Sequence, residues 1–217
     1  MNPPHNHAFN QTVSGGILRR RGSAVNLALL DVRTPSTHPM RRMICSLSLP
    51  LLLVTAASSF AQSSRLVAPN VVEISPRLVT SGQPSAEALA GLKAKAFEAV
   101  IYLAPPTVQD AVRDEQLIVT RQGLTFVNIP IQFDNPTESD FNTFASVLSG
   151  FGSRKVLVHC QINLRASVMV FLYRAIILKE EPRVAYEAVA GVWSPDGRWR
   201  RLIEEQLHKH KVAFELF

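Results

Sequence analysis

A three-layer α/β sandwich around a mostly parallel sheet is the fold this sequence predicts. Three observations lead there. Short apolar-rich runs recur at 99–103, 125–131 and 155–159, the mark of strands buried on both faces. Segments of helical period separate them, so strand and helix alternate along the chain. The composition, 47% hydrophobic and 18% charged, supplies apolar surface for a core and excludes a disordered chain.

Val71–Ile74 and Leu78–Thr80 are β-prone runs on either side of Pro76. Ser81-Gly82-Gln83-Pro84 reads as a turn, with Pro84 suited to the first position of a helix. From Ala86 to Lys95, apolar residues at 88, 89 and 92 keep a helical spacing. Ala99–Leu103 reads as a buried strand that stops before Pro105-Pro106. Residues 107–122 are mixed and read as helical, closed by Gly123. Thr125–Ile131 is the second buried strand, followed by the loop Gln132-Phe133-Asp134-Asn135-Pro136. Thr137 with Asp140 three residues on forms an acidic capping box. Phe141, Phe144, Val147, Leu148 and Phe151 then share one helical face. Lys155–His159 is the third strand. Ala166–Leu178, apolar nearly all round, reads as a central buried helix that ends at Glu180-Glu181-Pro182. One or two helices cover 183–210, interrupted at Ser194-Pro195-Asp196-Gly197. No internal repeat is visible. Ligands of such sheets bind at the carboxyl ends of the strands, which here points to the loops after Ile131 and His159.

The net charge of +6 is unevenly spread. Residues 1–61 hold six Arg against a single acid, Asp31, so the remainder of the chain is close to neutral. A protein-wide footprint for a phosphate backbone is therefore excluded, and nucleic acid is not an expected partner. Residues 40–61, MRRMICSLSLPLLLVTAASSFA, place Arg41-Arg42 before an apolar run and Ser59-Phe60-Ala61 before a cut at Gln62. That is the layout of a secretory signal peptide. The run is shorter than the roughly 20 apolar residues of a membrane span, so no stable span is expected after cleavage. The expected location is exported, periplasmic or secreted. Residues 1–39 read as a disordered extension or, the favoured reading, a misassigned start ahead of Met40 or Met43. Residues 62–217 are the expected domain. The chain holds two cysteines, Cys45 in the leader and Cys160. A disulfide framework and a four-cysteine zinc site are thereby excluded, and Cys160 is a lone thiol in an oxidising compartment.

Chemistry concentrates in Val156-Leu157-Val158-His159-Cys160-Gln161-Ile162-Asn163-Leu164-Arg165-Ala166-Ser167, a strand, a short loop and a helix start. Backbone N–H groups of 161–165 and the positive helix end converge on one spot suited to an anion. That positive end favours the thiolate of Cys160, a nucleophile. Arg165 closes the loop with a guanidinium that matches two oxygens of a tetrahedral oxyanion. The combination suits transfer of a phosphoryl group to sulfur and then to water.

This Cys-to-Arg loop after a buried strand resembles the cysteine-dependent protein tyrosine and dual-specificity phosphatase superfamily. The stretch from Thr80-Ser81-Gly82-Gln83-Pro84-Ser85 through Arg165 is more closely similar to the bacterial phosphatase-like branch named for its fusion to beta-lactamase-like hydrolases, over about residues 68–205. The resemblance implies a cysteine phosphatase fold and a phosphocysteine on Cys160. Phosphate would be held by Gln161, Ile162, Asn163, Leu164 and Arg165. It implies an aspartic general acid on a neighbouring loop, where Asp134 is similar in placement. It implies no metal and no organic cofactor, and a phosphorylated protein or small phosphomonoester as partner. Three departures stand out. Four residues separate Cys160 from Arg165 where the phosphatase signature has five; four also occur in rhodanese-type sulfurtransferases. Asn163 replaces the mid-loop glycine, and Asn tolerates left-handed backbone angles. Ala166 stands where a hydroxyl is expected, with Ser167 one place later.

The alternatives to hydrolysis are therefore a sulfurtransferase or persulfide-handling activity on the same loop, and a catalytically silent phosphate-binding module. Other residues have plainer readings. His159 supports the loop and the thiol from the strand end. Asp140 caps its helix. His208 and His210 belong to a solvated helix end rather than a metal site. Trp193 and Trp199 pack the last helix, and Arg198, Arg200 and Arg201 form a solvated face.

Overall fold

The computed structural model describes residues 65–217. The extension at 1–39 and the leader at 40–61 lie outside the described residues. Five strands form one sheet: β1 (Val72–Ser75), β2 (Leu78–Ser81), β3 (Ala99–Tyr102), β4 (Thr125–Asn128) and β5 (Val156–His159). Their order is β1-β2-β5-β3-β4, with β1 antiparallel to β2 and the other pairs parallel. Both central strands, AVIY in β3 and VLVH in β5, are buried at every position, whereas β1 alternates between half-buried and exposed. Apolar continuity in the sequence thus marks the middle of the sheet.

Helices cover both faces. On one lie α1 (Ala86–Ala90) and α2 (Glu115–Thr120), where Leu89, Leu92, Phe97 and Val119 bury Val100 and Leu157. On the other lie α3 (Glu138–Gly150), α4 (Leu164–Leu172), α5 (Pro182–Ala190) and α6 (Gly197–Lys209). Phe141, Phe144, Met169, Tyr186 and Trp199 there enclose Ile101, Val156 and Val158. The helix α4, buried at all positions after Leu164, is the middle of that larger core.

Local chemistry explains where the elements start and stop. Ser85, not Pro84, begins α1: its hydroxyl accepts from Ala88 N at 3.1 Å, and Pro84 precedes the cap. The helical reading of 107–122 holds only for Glu115–Thr120. Before it the chain makes single turns closed by Val108 N to Pro105 O (3.3 Å), Ala111 N to Val108 O (3.1 Å) and Glu115 N to Val112 O (3.1 Å). The second strand stops at Asn128 rather than Ile131 because Pro130 has no N–H for a regular ladder. Ile129 N and Ile131 N still reach Tyr102 O and Leu103 O, at 2.8 and 3.2 Å. Thr137 and Asp140 form the reciprocal capping box of α3. The buried helix starts at Leu164, ahead of the expected Ala166, and runs into a wider π turn, Tyr173–Ile177.

Register sets up the site. Ser81 pairs with His159, His159 with Tyr102, and Tyr102 with Asn128. These four form a row across the carboxyl edge of the parallel strands. The next residue along β5 is Cys160, at the centre of that edge.

Candidate active site

The loop from Cys160 to Arg165 leaves the central strand and enters α4. Cys160 N donates to Ser81 O (3.2 Å) and Gln83 N to Gln161 O (2.9 Å), so the loop is sewn to the chain leaving β2. Asn163 has φ +73°, in the left-handed region. Its side chain does more than tolerate that angle: Nδ2 donates to Asn70 O (2.6 Å) and to Thr80 Oγ1 (3.1 Å). Asn70 in turn donates from Nδ2 to Ile162 O (2.9 Å). This reciprocal clasp fixes the loop from the segment preceding β1. The N–H groups that open α4 have no intrahelical acceptor, as at any helix start, and such a helix start favours an anion.

Cys160 is fully buried yet lines a cleft of about 250 Å³ together with Asp110, Phe133, Gln161, Ile162, Leu164 and Arg165. Arg165 is only 4% exposed. Its Nε donates to Ile131 O (3.0 Å), its Nη1 makes a long contact to Gln161 Oε1 (3.4 Å), and its guanidinium lies 5.1 Å from the Phe133 ring centre. No carboxylate stands within ion-pair distance of it among the described residues. The contrast is Arg174, also buried, which is neutralised by Glu180 at 2.7 Å. A buried guanidinium without a counter-ion is costly unless an anion completes it.

Behind the thiol, His159 Nε2 lies 2.6 Å from Glu115 Oε1, with both side chains buried. Glu115 Oε2 accepts from Gln83 Nε2 (2.8 Å). The His159 ring stacks on Tyr102, with centroids 4.8 Å apart and planes inclined by 18°. Burial, reinforced by the Glu115 charge, pushes the Tyr102 phenol up to about 12. Neither Glu115 nor Tyr102 carries a local sequence signal of this placement.

The expected site residues are thus distributed as follows. Cys160, Gln161, Ile162, Leu164 and Arg165 share the cleft, and Asn163 holds the loop from beneath. Asp134 is exposed and does not line the cleft; its neighbour Phe133 does. Ser167 donates to Leu164 O (3.0 Å) and accepts from Trp193 Nε1 (3.3 Å), so its hydroxyl is engaged within α4 and toward the tryptophan. Asp110, which carries no local signal in the sequence, lines the cleft and lies 3.4 Å from Gln161 Nε2. Trp199 and Trp193 back the Phe133 ring at 5.8 and 6.1 Å, and Trp199 Nε1 donates to Phe133 O (2.8 Å). His208 and His210 are exposed at the end of α6. No cluster of His, Cys, Asp and Glu suited to a metal occurs among the described residues, and none of their helices is long and apolar enough to cross a membrane.

Comparison with known proteins gives a consistent set of matches. The family described as DSP-PTPase phosphatase fused to NAD+ kinase matches residues 61–195, more than half of the chain. A beta-lactamase hydrolase-like protein of Xylella fastidiosa is 30% identical over 110 residues, covering 49% of this chain. The chain spans 25% of the length of that curated relative. Among solved structures, a DUF442 protein of Shewanella putrefaciens is 29% identical, with a TM-score of 0.61 over 66% of this chain and 95% of its own. Tk-PTP in its active form shares the fold at 20% identity, with a TM-score of 0.53 over 67% of this chain and 99% of that one.

Proposed function

The chain belongs to the family of DSP-PTPase phosphatases fused to NAD+ kinase, and from that premise we propose that it hydrolyses phosphomonoesters through a phosphocysteine on Cys160. The observation that carries the reading is the buried Arg165, without a counter-ion among the described residues, beside a buried thiol in one cleft. In the first step the Cys160 sulfur attacks phosphorus, the bond to the ester oxygen breaks, and that oxygen takes a proton. Nη groups of Arg165 and the N–H groups of the loop hold the phosphoryl oxygens as charge builds. In the second step water attacks the phosphocysteine, the P–S bond breaks, and phosphate leaves. Asp134 is the proposed proton donor, since it adjoins Phe133 at the cleft wall. The signal-like segment at 40–61 supports action outside the cytoplasm on a protein or small-molecule ester.

The test uses residues 62–217 with p-nitrophenyl phosphate and phenyl phosphate between about pH 5 and 7. Turnover that disappears in Cys160→Ser is expected. Asp134→Asn is expected to lose more on phenyl phosphate, whose poorer leaving group needs the proton, than on p-nitrophenyl phosphate. An inactive folded wild type refutes the hydrolase reading. The four-residue spacing of Gln161–Leu164 favours one second reading, sulfur transfer, which predicts a Cys160 persulfide after incubation with thiosulfate and no phosphate release.

A further inference from the structure

We propose that the cleft selects monoesters in which phosphate is the sole anionic group near the reacting centre, with Asp110 and Ile162 enforcing the choice. The inference rests on the hydrolase reading and concerns the same cleft. Its lining holds one cation, Arg165, and one anion, Asp110; the rest is Phe133, Cys160, Gln161, Ile162 and Leu164. Arg165 has part of its donor set committed, because Nε is bound to Ile131 O at 3.0 Å. What remains serves the reacting phosphoryl group. A second anionic group on the substrate finds no cation of its own in the lining. Arg198, on the neighbouring α6, is turned to Asn135 Oδ1 (3.2 Å) and does not line the cleft.

The second anion meets Asp110 instead. That carboxylate is exposed in the cleft lining, 3.4 Å from Nε2 of Gln161, the residue that follows the nucleophile. At a half-solvated mouth, two like charges several ångströms apart cost about tenfold in an equilibrium. The mouth also rewards apolar surface. Ile162 is 48% exposed and Phe133 40% exposed; both line the cleft with the thiol, and both are large side chains left open to water. An aromatic or aliphatic leaving group buries them, and a charged one does not. Phe133 is additionally braced by Trp193 and Trp199, so it presents a firm wall.

The experiment compares kcat/KM for phenyl phosphate and 3-carboxyphenyl phosphate, two aryl esters with leaving phenols of closely matched acidity. Wild type is expected to prefer phenyl phosphate by about tenfold. The ratio falls toward unity in Asp110→Asn and reverses in Ile162→Lys. A wholly structural role for Asp110 would lower both substrates together and leave the ratio in place. Turnover of both esters at equal kcat/KM by wild type, or an unchanged ratio in Asp110→Asn, overturns this inference and leaves the hydrolase reading standing. No turnover of either ester by folded wild type overturns the hydrolase reading and this inference with it.

Discussion

Gly82→Ala is the sharpest test of how the anion loop is built. A Cβ at this position meets Gln161 O at 2.7 Å, Pro69 Cβ at 2.8 Å and Ile162 Cα at 3.0 Å. Ordinary contact begins near 3.4 Å, so Gln161 O alone must retreat by about 0.7 Å. Nothing there yields easily. Two of the three obstacles are backbone of the loop itself, and Gln83 N is bonded to that same Gln161 O at 2.9 Å. Pro69 is tied in as well, since its carbonyl accepts from Gly82 N at 2.7 Å. Overpacking of this kind costs about 1–3 kcal/mol, which lowers Tm by roughly 2–10 °C in a domain of this size. The larger effect falls on catalysis. A misplacement approaching 1 Å costs on the order of 100-fold in rate, so kcat/KM for p-nitrophenyl phosphate is expected to fall by roughly 10- to 100-fold in protein that remains folded at 25 °C. Gly191→Ala is the control, because its Cβ finds nothing nearer than Glu187 O at 3.4 Å. Wild-type kcat/KM in Gly82→Ala, at any Tm, would refute the claim that this contact sets the loop's position.

Three further predictions follow from the same neighbourhood. Asn163→Gly keeps the left-handed backbone but loses the bonds to Asn70 and Thr80, for about 1–3 kcal/mol. Asn163→Ala adds about 1–2 kcal/mol of backbone strain, so urea midpoints should rank wild type above Gly above Ala; Ala above Gly would show that the left-handed angle does not set the rank, and Gly equal to wild type would show the same of the clasp. Glu115→Ala leaves the buried His159 and the Gln83 amide without their carboxylate partner and should cost about 1–3 kcal/mol in denaturant melts, with Glu115→Gln costing less; a loss within about 0.5 kcal/mol would refute a structural pair. Tyr102 ionises near 12 when folded, against about 10 in an unfolded chain. The neutral phenol is the form the fold favours, so its contribution is complete below about pH 10 and is lost as pH rises through 12. Tyrosinate absorbance should therefore lose amplitude near pH 12 in Tyr102→Phe, and an unchanged curve would contradict the burial argument.

What the sequence makes legible here is whatever is local. The continuous apolar runs of β3 and β5 identify the two central strands, because a strand covered on both faces has no polar positions to spare. The nucleophile and the guanidinium are adjacent in one short loop, so Cys160 and Arg165 are found together in the sequence and in the cleft. The capping box at Thr137 is equally local. What escapes is whatever depends on topology. Glu115 has the sequence appearance of an ordinary acid in the middle of the mixed stretch 107–122 that reads as helical. Only the three strand pairings that set the row Ser81–His159–Tyr102–Asn128 bring His159 to the start of α2, where that acid is buried against it. Asp110 lies 51 positions before Gln161 and meets it only because the loop after β3 ends beside the loop after β5.

Asp134 and Phe133 show a subtler limit. The sequence locates their loop at the correct edge of the sheet, yet sheet order alone does not say which side chain turns inward. Trp199 decides it by donating to Phe133 O at 2.8 Å and packing the Phe133 ring toward Arg165. A tryptophan read as mere helix packing therefore orients the cleft wall. The two buried arginines make the same point in electrostatic terms. Arg165 and Arg174 lie nine residues apart on the same buried helix and its continuation, and nothing in composition separates them. Glu180 neutralises one, while the other faces a cleft, a thiol and an aromatic ring with no carboxylate within ion-pair reach among the described residues. Since an uncompensated buried charge is expensive, the fold bears that cost at one arginine and avoids it at the other. That asymmetry locates the anion's place more firmly than the Cys-to-Arg spacing does, because the spacing is shared by two chemistries and the missing counter-ion is a property of this site.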